Sequence, residues 1–220
     1  MRLLLIAPLA VLPVAYGATL ALHPGVDWEP TPLANAKATM VAPGNWNTDP
    51  AHTSIGFTVR HLGLAEIQGR FEKTSGMIVG DPKTVAGSKV SFEIETSSIN
   101  TAVGARDDHL RTPDFFDAAT YPTIKFESSR IFKKGENFVA EGDLTIKDVT
   151  RKIQIPFRAY GPITDPWGNQ RIGMVAFPFT INRKHFNVNY DDKLPDGTPA
   201  VGDDVTIRIS LEATLATPKE

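Results

Sequence analysis

Apolar and polar residues alternate with a period of two through most of the chain after Trp46, and this pattern constrains the fold most. Ile55, Phe57 and Val59 alternate with polar neighbours near its start, and the run from Val205 to Leu211 repeats the pattern near its end. Because successive side chains of a strand point to opposite faces, such runs predict strands that are half-buried on one face. Turn signals separate about eight of these runs, which predicts either an antiparallel sandwich or an up-and-down barrel.

The alternation carries three local expectations. Gly69 lies within the run that ends at Phe71, where glycine is typical of a bend or a bulge. Met77 and Val79 share the odd parity of Phe71 and are expected on the same face of the sheet. The run 172–181 has apolar residues on both parities, which predicts a strand buried on both faces.

Composition excludes several classes of chemistry. The 220 residues include no cysteine, so disulfides, zinc–thiolate sites and thiol nucleophiles are excluded. A net charge of -2 with dispersed basic residues gives no bulk attraction to nucleic acid. The histidines form no HxH or HExxH pair, and no GxSxG, GxGxxG or P-loop sequence occurs. We therefore expect no metal, no cofactor and no nucleic-acid partner.

One acidic loop faintly resembles a calcium site. It runs from Asp192 to Gly197, and Asp203 would have to supply the last ligand. Leu194 stands at its third position, where calcium requires an oxygen ligand. We interpret this segment as a turn-rich loop.

The first 44 residues have the composition of an export segment and a linker. Met1 and Arg2 precede the apolar run from Leu3 to Ala15, and Ala15-Tyr16-Gly17 is similar to a cleavage site. This arrangement predicts a signal peptide in residues 1–22. A retained anchor is the alternative, because the apolar stretch continues to Leu22 and nearly reaches the length that spans a bilayer. Residues 23–44 are rich in Pro and Ala and predict a linker, which leaves 45–220 as the folded domain in the periplasm.

A dense polar segment interrupts the alternation between Ser97 and Ser129, and we call it the polar crossover. It contains Asp107, Asp108, His109 and Arg111 within five consecutive residues. An enzyme of hydrolase type could use His109 with one of the two aspartates as an acid–base pair. The favoured interpretation is a short helix, because both aspartates lie at i,i+3 or i,i+4 spacing from Arg111 and would form surface ion pairs.

The chain also contains 12 phenylalanines, many of them on strand faces. For any single phenylalanine, burial in a packed core is the more frequent role. As a set they could line a long apolar cavity, since an eight-stranded barrel can hold one small ligand. Phe115 and Phe116 are expected to anchor the polar crossover to the body of the domain. The candidate lining residues, chosen by parity, are Phe57, Phe71, Phe92, Ile94, Phe126, Phe157 and Phe177.

Several segments together resemble the YceI-like family over about residues 45–217. They are Trp46–Phe57, Arg60–Gly63, Gly69–Phe71, Ser98–Thr101, Arg106–Leu110, Asp114–Asp117, Tyr121–Phe126 and Gly142–Thr150. One turn departs from the family pattern. In the run from Arg183 to Asn187, His185 and Asn187 replace the Asp and Gly that the family usually has.

The resemblance implies an all-β fold, an eight-stranded antiparallel lipocalin-like barrel with short helical insertions. It also implies export, frequent dimers and an apolar cavity for a polyisoprenoid or a similar long-chain amphiphile, such as an isoprenoid quinone. No settled catalytic activity comes with it. We therefore expect a long-chain isoprenoid lipid as partner, with a homodimer and transient membrane contact as further expectations. The alternatives are a hydrolase-type enzyme that uses Asp107, Asp108 and His109, and a ligand-free structural or stress-related domain.

Overall fold

The computed structural model describes residues 43–81 and 85–216, and the predicted signal peptide or anchor and nearly all of the linker lie outside these ranges. The described residues contain twelve β-strands and one α-helix. The strands are β1 Gly44–Thr48, β2 Ser54–His61, β3 Ala65–Phe71, β4 Thr74–Gly80, β5 Lys89–Glu95, β6 Ile99–Asn100, β7 Thr123–Lys134, β8 Asn137–Ile146, β9 Val149–Thr164, β10 Gln170–Ala176, β11 Phe179–Asn182 and β12 Val201–Leu215. The helix, α1, spans Gly104–Arg111. No helix among these residues has the length and apolar character needed to cross a membrane.

Hydrogen bonds between the strands close them into a barrel of eight staves, where a stave is one strand or two consecutive strands that together cross the wall. Two consecutive strands share a stave in four cases, namely β1/β2, β3/β4, β5/β6 and β10/β11. Every stave pairs antiparallel with the next one in sequence, and β12 pairs back with β1 and β2. The predicted eight-stranded antiparallel barrel is thereby confirmed over the sandwich.

The first stave is interrupted because its sequence cannot continue the hydrogen-bond ladder. Pro50 has no backbone N–H to donate, and it begins a short 3₁₀ turn between β1 and β2. The carboxylate of Asp49 caps this turn by accepting from the N–H of Ala51 at 3.0 Å. The strand then resumes at Ser54 along the same neighbour, β12.

In the second stave, the residues that face the interior have odd numbers in β3 and even numbers in β4. The predictions for Met77 and Val79 are therefore wrong. Ile78 is fully buried, whereas Met77 is 44% exposed, so Met77 and Val79 do not share the face of Phe71. Glu72 and Lys73 lie between the two strands and shift the alternation by one position.

Gly69 makes no bulge, because β2 and β3 pair in unbroken register. The ring of Phe57 lies over Gly69, where a Cβ atom would collide with it. The glycine is therefore required for the close approach of this ring, and a bulge at this position is excluded.

Buried side chains fill the end of the barrel at which β1 begins. We call this end the lower end. Trp46 is 2% exposed, and Ile78, Ile131 and Ala213 are completely inaccessible to solvent. Phe138 stacks on Phe157 with ring centroids 5.6 Å apart, within the same buried cluster. The lower end is thus packed like an ordinary protein core.

An ion cluster on the outer wall ties together the staves that close the barrel. Arg171 of β10 contacts Asp165 at 2.8 Å, and Asp49 and Glu212 at 3.0 Å each. The Arg171 side chain holds the pKa of Asp165 far below its usual range, and Asn169 and the backbone N–H of Trp167 add to this effect. His52 and Arg171 together lower the pKa of Asp49.

Candidate functional site

Above the packed lower end, the barrel encloses a cavity of about 190 Å³. Its wall is formed by the inward-facing residues of the staves and by the segments that cover the upper end. Six of the seven predicted lining residues lie on it, and they are Phe57, Phe71, Phe92, Ile94, Phe126 and Phe157. Their contact with a ligand stays a prediction.

Phe177 is the exception, and its predicted place on the wall is wrong. Met174 and Ala176 face the cavity from β10, and Phe179 faces it from β11. Phe177 falls between the two strands and lies on the outside, where the guanidinium carbon of Arg158 is 5.3 Å from its ring centroid. The alternation shifts by one position at the break between β10 and β11, so parity carried through the break selects the wrong face.

The sequence analysis missed a second group of lining residues. Leu110, Phe115 and Phe116 come from the polar crossover, and Phe186 and Val188 come from the segment after β11. The prediction that Phe115 and Phe116 are apolar anchors was correct, but it did not include their contact with the cavity. Leu110, Phe186 and Val188 could have been found from the sequence, because they are apolar residues at helical or turn positions next to the ends of strands.

Aromatic contacts join the two segments that cover the upper end. The rings of Phe115 and Tyr190 stack with centroids 4.6 Å apart, and the edge of His109 meets both rings at 5.1 and 5.4 Å. The hydroxyl of Tyr190 donates to Asp192 at 2.7 Å, and this bond raises the pKa of Tyr190. The polar crossover and the loop after β11 therefore form one joined cover.

The polar residues of the crossover do not converge on a common point. Asp108 pairs with Arg111 at 2.8 Å, as predicted, on the solvent side of α1. His109 pairs with Asp114 at 2.8 Å, and both side chains are well exposed. Neither pair includes Asp107, so the three residues of the enzyme hypothesis have three separate partners.

Asp107 corrects the prediction that it pairs with Arg111. It is 6% exposed, and its carboxylate accepts hydrogen bonds from the backbone N–H and the hydroxyl of Thr101. Arg111 instead donates to the carbonyl oxygens of Ser97 at 2.8 Å and Ile99 at 3.0 Å. These bonds satisfy backbone groups where the chain leaves β6 and begins α1.

Arg183 is the one charged residue among the described residues that line the cavity. Its side chain is 6% exposed, and its guanidinium donates to the carbonyl oxygens of Val188 at 2.7 Å, Gly202 at 2.9 Å and Val201 at 3.2 Å. A fourth bond joins it to Asp203 at 2.9 Å. Burial lowers the pKa of Arg183, and Asp203 opposes that effect. The guanidinium is therefore engaged by the rim of the cavity, and the cavity surface is almost wholly hydrocarbon.

The turn that departs from the family pattern ends at a residue with a left-handed conformation. Asn187 has φ 57° and ψ 26°, a left-handed conformation in which asparagine is the commonest substitute for glycine. His185 is exposed, and its carbonyl oxygen accepts from Arg151 at 2.7 Å. Arg183 and Phe186 of the same turn are both buried.

Sequence comparisons place the chain among bacterial proteins of one group. Residues 46–213 match the model of the YceI-like domain. A UPF0312 protein of Photorhabdus laumondii is 35% identical over 159 residues, which cover 72% of this chain and 82% of the relative. A UPF0312 protein of Vibrio parahaemolyticus is 41% identical over 131 residues, which cover 59% and 69% of the two chains.

Solved structures agree with the sequence match. BcnA of Burkholderia cenocepacia has a TM-score of 0.65 and 25% identity, and it aligns over 77% of this chain and 99% of its own. A polyisoprenoid-binding domain from Saccharophagus degradans, implicated in plant cell wall breakdown, has a TM-score of 0.60 with 16% identity over 80% and 100% of the two chains. The latter likeness concerns the fold alone. Because the family model spans nearly all of the described barrel, this chain belongs to the YceI-like family.

Proposed function

We propose that this protein is a periplasmic carrier that holds the tail of a polyisoprenoid, such as an isoprenoid quinone, inside its barrel. The observation that carries the proposal is the cavity wall, which consists of hydrocarbon side chains and is closed below by a packed core. Water finds few hydrogen-bond partners in such a space. Each CH₂ group of a ligand that becomes buried there contributes about 0.8 kcal/mol to the free energy of binding. The polyisoprenoid-binding domain of Saccharophagus degradans shares the barrel fold in which such a cavity occurs.

The periplasmic location rests on the export segment expected in residues 1–22. A carrier without a catalytic role is consistent with the divergent partners of Asp107, Asp108 and His109. The proposal also includes transient contact with the membrane and a homodimer, through which the lipid could be delivered.

The first test is extraction of protein purified from its native host, followed by mass spectrometry of the extract. We expect a long-chain isoprenoid at a stoichiometry near one per chain. Protein stripped of lipid should rebind an added isoprenoid quinone, measured by native mass spectrometry. Recovery of no long-chain lipid, together with no rebinding, would refute the proposal.

A pair of variants separates the cavity from the outer surface. Ala176 faces the cavity, whereas Val175 precedes it on the same strand and lies on the outer face. Ala176→Phe should reduce the amount of bound lipid, because the new ring occupies the cavity. Val175→Phe adds a similar apolar surface outside and should leave binding unchanged. Both variants are first compared with the parent by circular dichroism and thermal melting, so that loss of the fold is recognised.

A further inference from the structure

We propose that the barrel docks on an anionic phospholipid bilayer by its closed lower end, with Trp167 as the anchor in the membrane interface. The inference rests on the proposed function only for the periplasmic location, which brings such a bilayer within reach. It adds where the membrane contact lies, namely at the end of the barrel opposite the covered cavity.

The β9–β10 hairpin projects beyond the wall at the lower end. β8 pairs with β9 as far as Phe157, and the residues that follow in β9 pair with β10 alone. Residues 158–164 thus extend past the start of β8, over a strand length of about 20 Å. We call residues 162–169, at the end of this hairpin, the lower tip.

The lower tip exposes apolar surface and no free charge. Its large apolar side chains are all exposed to solvent, and they are Pro162, Ile163, Pro166 and Trp167. Trp167 is 80% exposed and Ile163 is 60% exposed. The one charged side chain of the tip, Asp165, is buried and bound to Arg171 at 2.8 Å. An indole combines an apolar ring with one N–H donor, and such side chains concentrate where a membrane meets water.

Hydrogen bonds fix the shape of the lower tip in advance. The carboxylate of Asp165 accepts from the backbone N–H groups of Trp167 at 2.9 Å and Asn169 at 2.8 Å. The N–H of Gly168, which has φ 89°, donates to the carbonyl oxygen of Asp165 at 3.0 Å. Arg171 holds Asp165 in the ion cluster of the outer wall. The indole is therefore held in its exposed position, and its entry into a membrane costs little conformational entropy.

Positive charge lies at the same end of the barrel, in the turn between β7 and β8. Lys133 and Lys134 are exposed, and neither forms an ion pair with any residue that the structure describes. Glu136 is the one carboxylate of this turn. The upper end differs, because residues 191–204 contain five aspartates and one lysine. An anionic membrane attracts exposed lysines near its surface and repels a surplus of aspartates, which favours the lower end as the docking face.

The size and the position of the lower tip favour a bilayer over a protein partner. A stable protein interface takes about 800 Å² from each partner, whereas the tip is one projecting turn with a few apolar side chains. The chain also enters β1 at this end, so residues 1–22 retained as an anchor would tether the lower end. Docking in this orientation keeps the carrier at a membrane and leaves the cover of the cavity in water.

The first test measures flotation of the full chain with vesicles of phosphatidylcholine and phosphatidylglycerol at a ratio of three to one, free of isoprenoid. Trp167→Ser should lower the partition coefficient at least tenfold, because an inserted indole removes about 200 Å² from water. Leu64→Ser is the matched control, since Leu64 is also 80% exposed but lies in the β2–β3 turn at the upper end. It should change the coefficient less than twofold. A parent that does not float, or a larger loss for Leu64→Ser, would overturn the inference.

A second measurement reports on the tip itself, whether or not the export segment binds the vesicles. In a Trp28→Phe background, vesicles with brominated phosphatidylcholine should quench the tryptophan emission. The further change Trp167→Ser should abolish this quenching, because the remaining Trp46 is 2% exposed. Equal quenching of the two chains would contradict docking by the tip.

The two lysines are tested by the double variant Lys133→Gln/Lys134→Gln. Its partition coefficient should fall about tenfold on the anionic vesicles and stay unchanged on pure phosphatidylcholine. An equal coefficient of variant and parent on anionic vesicles would overturn the assignment of anionic lipid.

Two controls separate this inference from its alternatives. Trp167→Ser should keep the circular dichroism and the Tm of the parent and should still rebind isoprenoid quinone. A parent that rebinds quinone but ignores vesicles refutes the docking alone, whereas one that binds vesicles but no isoprenoid refutes the proposed function alone. A dimer in sedimentation velocity that Trp167→Ser dissociates, without vesicle binding by the parent, would assign the tip to a second copy and overturn the inference.

Discussion

Replacing Arg183 by methionine should test whether a buried charge stabilises the rim of the cavity or costs stability. The side chain is 6% exposed, and burial lowers its pKa, so the site does not fully compensate the lost hydration. Methionine keeps much of the aliphatic stem but removes the donors to three carbonyl oxygens and to Asp203. The sign of the change therefore depends on which of these two effects is larger.

The burial of each acceptor decides the magnitude. Val188 is 4% exposed, and the loss of its donor should cost about 2 kcal/mol because water cannot easily replace it. Val201 and Gly202 are only half-buried, so water can reach them and each should cost about 0.5 kcal/mol. Relief of the buried charge offsets part of this sum. We expect Arg183→Met to lower the free energy of unfolding by about 2 kcal/mol and the Tm by about 6 °C.

The assay is urea unfolding followed by circular dichroism at equilibrium, with Arg151→Met as the matched control. Arg151 donates a similar bond at 2.7 Å to the carbonyl oxygen of His185, but its side chain is exposed. The control should lose less than about 0.5 kcal/mol. Arg183→Lys keeps the charge without the guanidinium geometry and should lose nearly as much as the methionine variant. Equal stability of Arg183→Met and Arg151→Met would refute the reasoning.

Three further predictions concern the ion cluster, the turn and the packed lower end. Because Arg171 lowers the pKa of Asp165 in the folded protein, the contribution of Asp165 to the free energy of unfolding is present above about pH 4 and is lost as the pH falls further. In the Asp165→Asn variant, the urea midpoint should fall less steeply between pH 5 and pH 3 than in the parent. A fall as steep as the parent's would contradict this prediction. Asn187→Gly should match or exceed the parent in Tm, whereas Asn187→Ala should cost about 1 kcal/mol in urea unfolding, and equal stability of the two would rule out the left-handed turn as the cause. Ile78→Ala should lose about 3 kcal/mol in the same assay because the packed lower end cannot collapse around the void, and a loss below 1 kcal/mol would indicate that it can.

Much of the barrel could be predicted from the sequence, because burial on one face dictates a period of two. The alternation of Ile55, Phe57 and Val59, for example, persists unchanged as the inward face of β2. Closure could not be read from the same pattern. It depends on the pairing of β12 with β1, which lie at opposite ends of the domain sequence, and each strand would show the same alternation in a sandwich.

The two errors in strand facing have one physical origin. Alternation predicts facing only within an unbroken strand, and several staves here are interrupted. Phe177 lies in such an interruption and Met77 lies in the strand after one, and the parity of each was carried over from the preceding strand. Phe57, Phe92 and Phe126 lie inside strands, and their placement was correct. An interruption without a proline or an obvious turn signal, such as Glu72-Lys73, leaves little trace in the sequence.

The concentration of charge in the polar crossover has an explanation that does not involve catalysis. A chain that crosses the open end of a barrel leaves the hydrogen-bond ladder, and its backbone groups need new partners. Asp107 accepts from the N–H of Thr101, and Arg111 donates to the carbonyl oxygens of Ser97 and Ile99, so the charged side chains supply those partners. Phe115 then covers the cavity from the same segment. Polar residues that hold the backbone and apolar residues that cover the ligand must therefore be adjacent in sequence, which is the pattern that resembles an active site.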